Sequence, residues 1–224
     1  MKRTLQVLNE LERDGVVECY AIGGAMAATF YVEPLLTFDL EVFVILPQDA
    51  ANLLSLAPLY GELRSRGHVE ERECVLIEGL PVQFFPAYNA LLEEALREAR
   101  ETLYEEVSAR VVRAEHLIAI CLQTGRDKDR ERVRILRERG GTRYELSGRR
   151  APTSRSGREV EAMDTLKPEI AKLFIAKEAR RRKLARLSFP EKVRAVVQLQ
   201  QMAAPVLRAR GRMVRVWTLD DRIP

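Results

Sequence analysis

Residues 20–45 read YAIGGAMAATFYVEPLLTFDLEVFVI, and the fold of the chain turns on how this stretch divides. An apolar run ends at Gly23-Gly24, a small-residue segment follows to Tyr31, and after Glu33-Pro34 a second apolar run carries Asp39 and Glu41. The pattern predicts a strand over 16–22, a tight turn, a helix over 25–31 and a second strand over 38–46, closed by Pro47. Residues two apart in a strand share a face. Asp39 and Glu41 therefore point together out of a run otherwise made of Phe38, Leu40, Val42, Phe43, Val44 and Ile45. Two adjacent carboxylates in apolar surroundings are costly unless something positive sits on them. A divalent cation answers this, because Mg²⁺ is held by one or two carboxylates together with substrate phosphates. An edge strand whose polar face meets water is the alternative. Glycines at 23 and 24 permit a positive φ and close backbone approach, and the helix behind them offers N–H groups and a positive dipole end to a phosphate.

Outward from this stretch, Leu5, Leu8 and Leu11 predict an amphipathic opening helix over 3–14, stopped by Asp14-Gly15. Downstream, a helix is expected over 49–66, then strands over 69–77 and 81–85 joined across Glu78-Gly79-Leu80, with Gln83 between Val82 and Phe84. A helix over 89–103, a strand over 104–112 and a long helical region over 115–139 with a break at Thr124-Gly125 complete the first part. Residues 147–162, rich in Ser, Gly, Arg and Thr, read as a linker between a domain at 1–146 and a basic segment at 163–224. In that segment a basic helix is expected over 168–186 and a second helix over 190–209, with Ser188 as its cap. A strand over 213–219 would add to a sheet edge, and Met163 reads as the start of a fused partner.

With 224 residues and 46% hydrophobic composition the chain can bury a substantial core. No apolar run approaches the roughly 20 residues of a membrane span, and the first residues lack the apolar centre of a signal peptide, so a cytoplasmic protein without membrane contact is expected. Cys19, Cys74 and Cys121 fit reduced core thiols. His68 and His116 are far apart, in no metal-ligand spacing, and read as structural or surface residues. The overall charge of +4 conceals a split: residues 1–148 hold 18 basic against 25 acidic groups, net −7, and 149–224 hold 19 against 8, net +11. Such a split suits a basic tail that meets nucleic acid, or one that docks on the acidic domain in cis or in trans; two solvated helical faces are the plainer reading.

The succession of strand, Gly23-Gly24, helix, Asp39-Leu40-Glu41 strand and hairpin strand, followed by RAEHLIAICLQTGRDKDRERV at 113–133, resembles the nucleotidyltransferase superfamily with the DNA polymerase beta-like fold. Within it the chain is similar to bacterial nucleotidyltransferase-like proteins of the abortive-infection and toxin-antitoxin type, over about residues 1–145. The resemblance implies an α+β fold, a small twisted sheet flanked by helices, with a helical extension and the basic helical segment behind it. It implies transfer of a nucleotidyl group from an NTP to RNA, such as tRNA, or to protein, or else a catalytically impaired relative that binds nucleotide or RNA. Asp39 and Glu41 would coordinate Mg²⁺, Gly23, Gly24, Arg126 and Lys128 would bind the nucleotide, and Asp129 would join the catalytic set. The third family carboxylate falls at Gln83, an amide that is a poor ligand and no base, which leaves Glu73 or Glu78 to replace it. Cys121 stands near the position of a family lysine.

Overall fold

The computed structural model describes residues 1–47, 55–139 and 168–219. Among them lie eight helices and a seven-stranded mixed sheet, an α+β architecture. The opening helix α1 (Lys2–Arg13) buries Leu5, Leu8 and Leu11. Strand β1 (Cys19–Ile22) then enters the sheet, Gly23 caps α2 (Gly24–Tyr31), and β2 (Leu40–Ile45) returns antiparallel to β1 with Tyr20 opposite Val44 and Ile22 opposite Val42. Helix α3 (Ala57–Ser65) follows, shorter than the expected 49–66 helix within the described residues, with Pro58 in its first turn where a missing N–H costs nothing.

Strands β3 (Val69–Glu71), β4 (Cys74–Ile77) and β5 (Leu80–Pro86) form two successive hairpins. The single strand expected over 69–77 is thus broken at Arg72-Glu73, where Arg72 takes a positive φ of 60°. The helix expected over 89–103 stops early: α4 (Ala90–Arg97) is capped by the Asn89 side chain, and residues 100–104 are strand β6 (Arg100–Tyr104), paired with β7 (Val107–Val111). Helices α5 (Ala114–Thr124) and α6 (Asp127–Arg139) are separated at left-handed Gly125 (φ 65°). The expected linker at 147–162 and the boundary at Met163 lie outside the described residues.

The strand order is β3-β4-β5-β2-β1-β7-β6, with β2 parallel to β5 and β1 parallel to β7. The carboxylate strand is therefore central, not an edge, and the alternative of a water-facing edge falls away. Cross-strand partners share a face. Tyr20 hydrogen-bonds Asn9 of α1 (2.6 Å), so Tyr20 and Val44 face α1; Phe43 and Glu41 point the other way, against Gly23 and Gly24.

Helix α7 (Pro168–Ala185) leads to α8 (Phe189–Ala209), which opens on a capping box between Ser188 and Glu191. Helix α8 packs on the sheet domain: Phe189 meets the rings of Phe30 and Tyr104 edge-on, and Val193, Val196, Val197 and Trp217 belong to the same buried cluster as β1 and β2. Lys192, 2% exposed, gives its ammonium to the Phe30 carbonyl (2.9 Å), and burial lowers its pKa to about 8. Residues 213–219, expected as an edge strand, form no strand and instead turn back along α8, Val214 bonded to Arg208 and Trp217 to Gln200. Trp217 is taken up by α8 and the loop before β2: its backbone N–H donates to Gln200 and its indole N–H to the Phe38 carbonyl. No helix among the described residues is long and apolar enough to cross a membrane.

Candidate functional site

The site is built where β1 ends. Gly24 has φ +57°, and a Cβ there would land on the Glu41 carboxylate; one on Gly23 would land on the Phe43 ring. The absence of side chains at 23 and 24 is therefore what lets the first turn of α2 lie directly on β2. Gly23 N donates to the Glu41 carbonyl (2.9 Å), which locks this approach. The first turn of α2 offers its backbone N–H groups at the carboxylate strand.

Asp39 ends the loop before β2, and its Oδ1 accepts from the Thr37 hydroxyl at 2.7 Å. Asp39 and Glu41 line one cavity of about 300 Å³ with Ala25, Thr37, Glu131 and Arg132. Asp39 also lines a second, larger cavity of about 1230 Å³, whose walls carry Glu71, Glu73 and Cys74 on one side and Arg208, Arg212 and Arg215 on the other. Asp39 is thus shared by both spaces. The Cys74 thiol is pushed up to about 11, first by burial and then by Asp39, Glu73 and Glu71, so it is protonated at neutral pH.

Gln83 stands opposite Glu41 in the β2–β5 register, and its amide donates to Glu73 Oε2 (3.2 Å). Of the two acids considered as replacements, Glu73 is the one at this position. Glu78 sits at the far end of β4, ion-paired with Arg3 (3.8 Å).

The α5–α6 motif folds in on the same side. Asp129 is 4% exposed, with Oδ2 accepting from Thr124 (2.7 Å) and Oδ1 from Arg132 (3.2 Å). Both of its oxygens are engaged, so it stands behind Arg132 and holds that guanidinium at the small cavity. Buried Cys121 lies beside Arg132, and burial raises its thiol pKa. Arg126 is exposed at the α5–α6 junction and lines neither cavity. Lys128 is on α6, but its side chain lies outside the described residues.

Sequence reading passed over Arg132 within the 113–133 motif, Thr37 within the 20–45 stretch, and Gln200 and Trp217 as site residues; only their tertiary partners mark them. It also passed over a group in which Glu94, Glu98 and His116 offer atoms within 4.8 Å of one another. Glu94 and Glu98 are one helical turn apart, and His116 Nε2 lies 3.4 Å from Glu94 Oε1. That mixed nitrogen and oxygen set suits a transition metal better than Mg²⁺, and none of its members lines either cavity. The all-carboxylate pair Asp39 and Glu41 is the set with the hard-donor chemistry Mg²⁺ takes. No family model matches the chain, and no curated protein matches it.

Proposed function

We propose that this protein is a nucleotidyltransferase that moves a nucleotidyl group from an NTP to a hydroxyl of RNA or protein with the help of Mg²⁺. One observation carries the reading: Asp39 and Glu41 share the wall of one cavity with Arg132, at the glycine-opened N-terminus of α2. The central carboxylate strand and the close glycine turn support the resemblance to DNA polymerase beta-like nucleotidyltransferases.

Asp39 and Glu41 would hold the cation. Bound there, Mg²⁺ supplies neutralisation of the phosphate charge and of the charge developing in the transfer. The first turn of α2 gives N–H groups to the phosphates. Arg132, fixed by Asp129, adds a guanidinium whose planar fork suits phosphate oxygens and whose orientation is set before substrate arrives. The larger cavity, meeting the smaller at Asp39, is the space for the acceptor. Glu73 there is the carboxylate placed to take the acceptor's proton, a role the Gln83 amide cannot fill.

The test is Mg²⁺-dependent transfer of label from each of four α-labelled NTPs to tRNA and to the protein itself. Wild type should transfer, and Asp39→Ala and Glu41→Gln should not. Transfer no greater than in Asp39→Ala would sink the reading. NTP binding without transfer would favour a nucleotide-binding relative, the role to which Gln83 beside Glu41 points.

A further inference from the structure

Asp39 is held from a distance of more than 160 residues. The segment 35–39 forms no regular structure, so its backbone carbonyls need partners from elsewhere. Gln200 of α8 donates its amide to the Thr37 carbonyl (2.6 Å), and the Trp217 indole N–H donates to the Phe38 carbonyl (3.0 Å). The other end of the Gln200 amide accepts from the Trp217 backbone N–H (2.8 Å). Thr37, whose carbonyl is pinned in this way, turns its hydroxyl onto Asp39 Oδ1 at 2.7 Å and onto the Asp39 carbonyl at 3.2 Å. Gln200 is 0%, Trp217 2% and Thr37 8% exposed, so the two Gln200 bonds are shielded from water, while the Thr37 and indole bonds are partly buried.

The strap that delivers Trp217 is built for the return. Helix α8 ends at Ala209 with Arg210 as its cap, Gly211 follows at φ +75°, Arg212 N closes on the Leu207 carbonyl (2.9 Å), and the Arg208 guanidinium grips the Val214 carbonyl (3.1 Å). The chain is thereby reversed, and 213–219 runs back to meet Gln200.

We propose that Gln200 and Trp217 are positioning residues of the site: the C-terminal strap fixes the two peptide units before Asp39 and so sets where its carboxylate stands between the two cavities. The proposal rests on the reading of Asp39 as a cation-holding carboxylate. It makes the basic C-terminal segment a part of the site in cis.

The experiment uses the full chain in four forms: wild type, Trp217→Phe, which keeps the ring and removes the indole donor, Gln200→Leu, and Val196→Ala. Val196 is a buried α8 residue outside the relay and serves as a control for loss of stability alone. Mn²⁺ binding is read by electron paramagnetic resonance, and hydrogen exchange is followed in the 35–40 amides. Trp217→Phe should weaken Mn²⁺ binding about fivefold, the size of one lost hydrogen bond, Gln200→Leu, which removes two, should weaken it by more, and both should speed exchange at 35–40. Val196→Ala should do neither. If both relay variants behave as Val196→Ala does, the proposal is overturned. A wild type that binds no Mn²⁺ while exchange still quickens in the relay variants supports the positioning role and removes only the cation reading of Asp39. No Mn²⁺ binding and no change in exchange overturns both.

Discussion

Gly24 is the residue on which the site closes, because its φ of +57° and its contact with the Glu41 carboxylate both exclude a side chain. Gly24→Ala should cost about 1–2 kcal/mol from backbone strain and abolish Mn²⁺ binding by displacing Glu41; urea unfolding and a Mn²⁺ titration measure the two effects separately. Lys192 makes a different prediction. Its folded pKa of about 8 lies below the ordinary 10.5, because burial disfavours the charged form. Between those values the unfolded chain binds more protons than the folded one, so stability rises with pH across that window. Urea midpoints taken from pH 7 to 10 should show wild type gaining on Lys192→Met above pH 8, and parallel curves would refute the assignment. At this scale Glu41, Gly23 and Gly24 were legible in the sequence, since strand alternation and a glycine pair are local signals; Asp39 was picked out by the same alternation, although β2 begins only at Leu40 and Asp39 stands in the loop before it. Arg132 and Gln200 were not, because a buried polar residue gives no sign in sequence of the partner that makes its burial tolerable.

Helices whose ends carry side-chain caps or turn glycines were read close to their true bounds. Helix α8, announced by Ser188 and Pro190, begins within a residue of expectation, and its cap is a full capping box. Ser188→Ala should therefore cost about 1 kcal/mol, seen as a lower urea midpoint. The strands misread were those joined by hairpins without the usual residues. Glu105 and Glu106 take φ of 46° and 69° in the β6–β7 turn, and Arg72 takes 60° in the β3–β4 turn, where glycine or asparagine is the ordinary signal. Only Glu78-Gly79 carried that signal, and only that hairpin was recognised. The run 89–103 reads as helix by composition, yet its last residues pair with β7, tertiary pairing overriding a weak local preference.

Over the whole molecule, the C-terminal segment shares one core with the sheet, through Phe189, Val193, Val196, Val197 and Trp217. Trp217 is the single tryptophan and is 2% exposed, so its fluorescence reports the strap alone. Its urea transition should coincide with that of far-ultraviolet circular dichroism; an earlier fluorescence transition would mean that the strap unfolds as a separate unit. The opposite charges of the two halves suit docking in cis, and ion pairs such as Arg215–Glu71 (3.0 Å) do span them. Exposed pairs of this kind contribute little, and the buried rings and the Lys192 and Gln200 bonds carry the contact instead. The sequence by itself determined the α+β class, the closeness of Asp39 to Glu41 and the glycine turn, because each follows from short-range periodicity and backbone sterics; that β2 begins only at Leu40 and leaves Asp39 in the preceding loop was not legible. Only the tertiary structure decided that β2 is central, that Glu73 stands beside Gln83, and that Asp39 is held by residues from the far end of the chain. Those depend on strand order and on long-range burial, which no local spacing encodes.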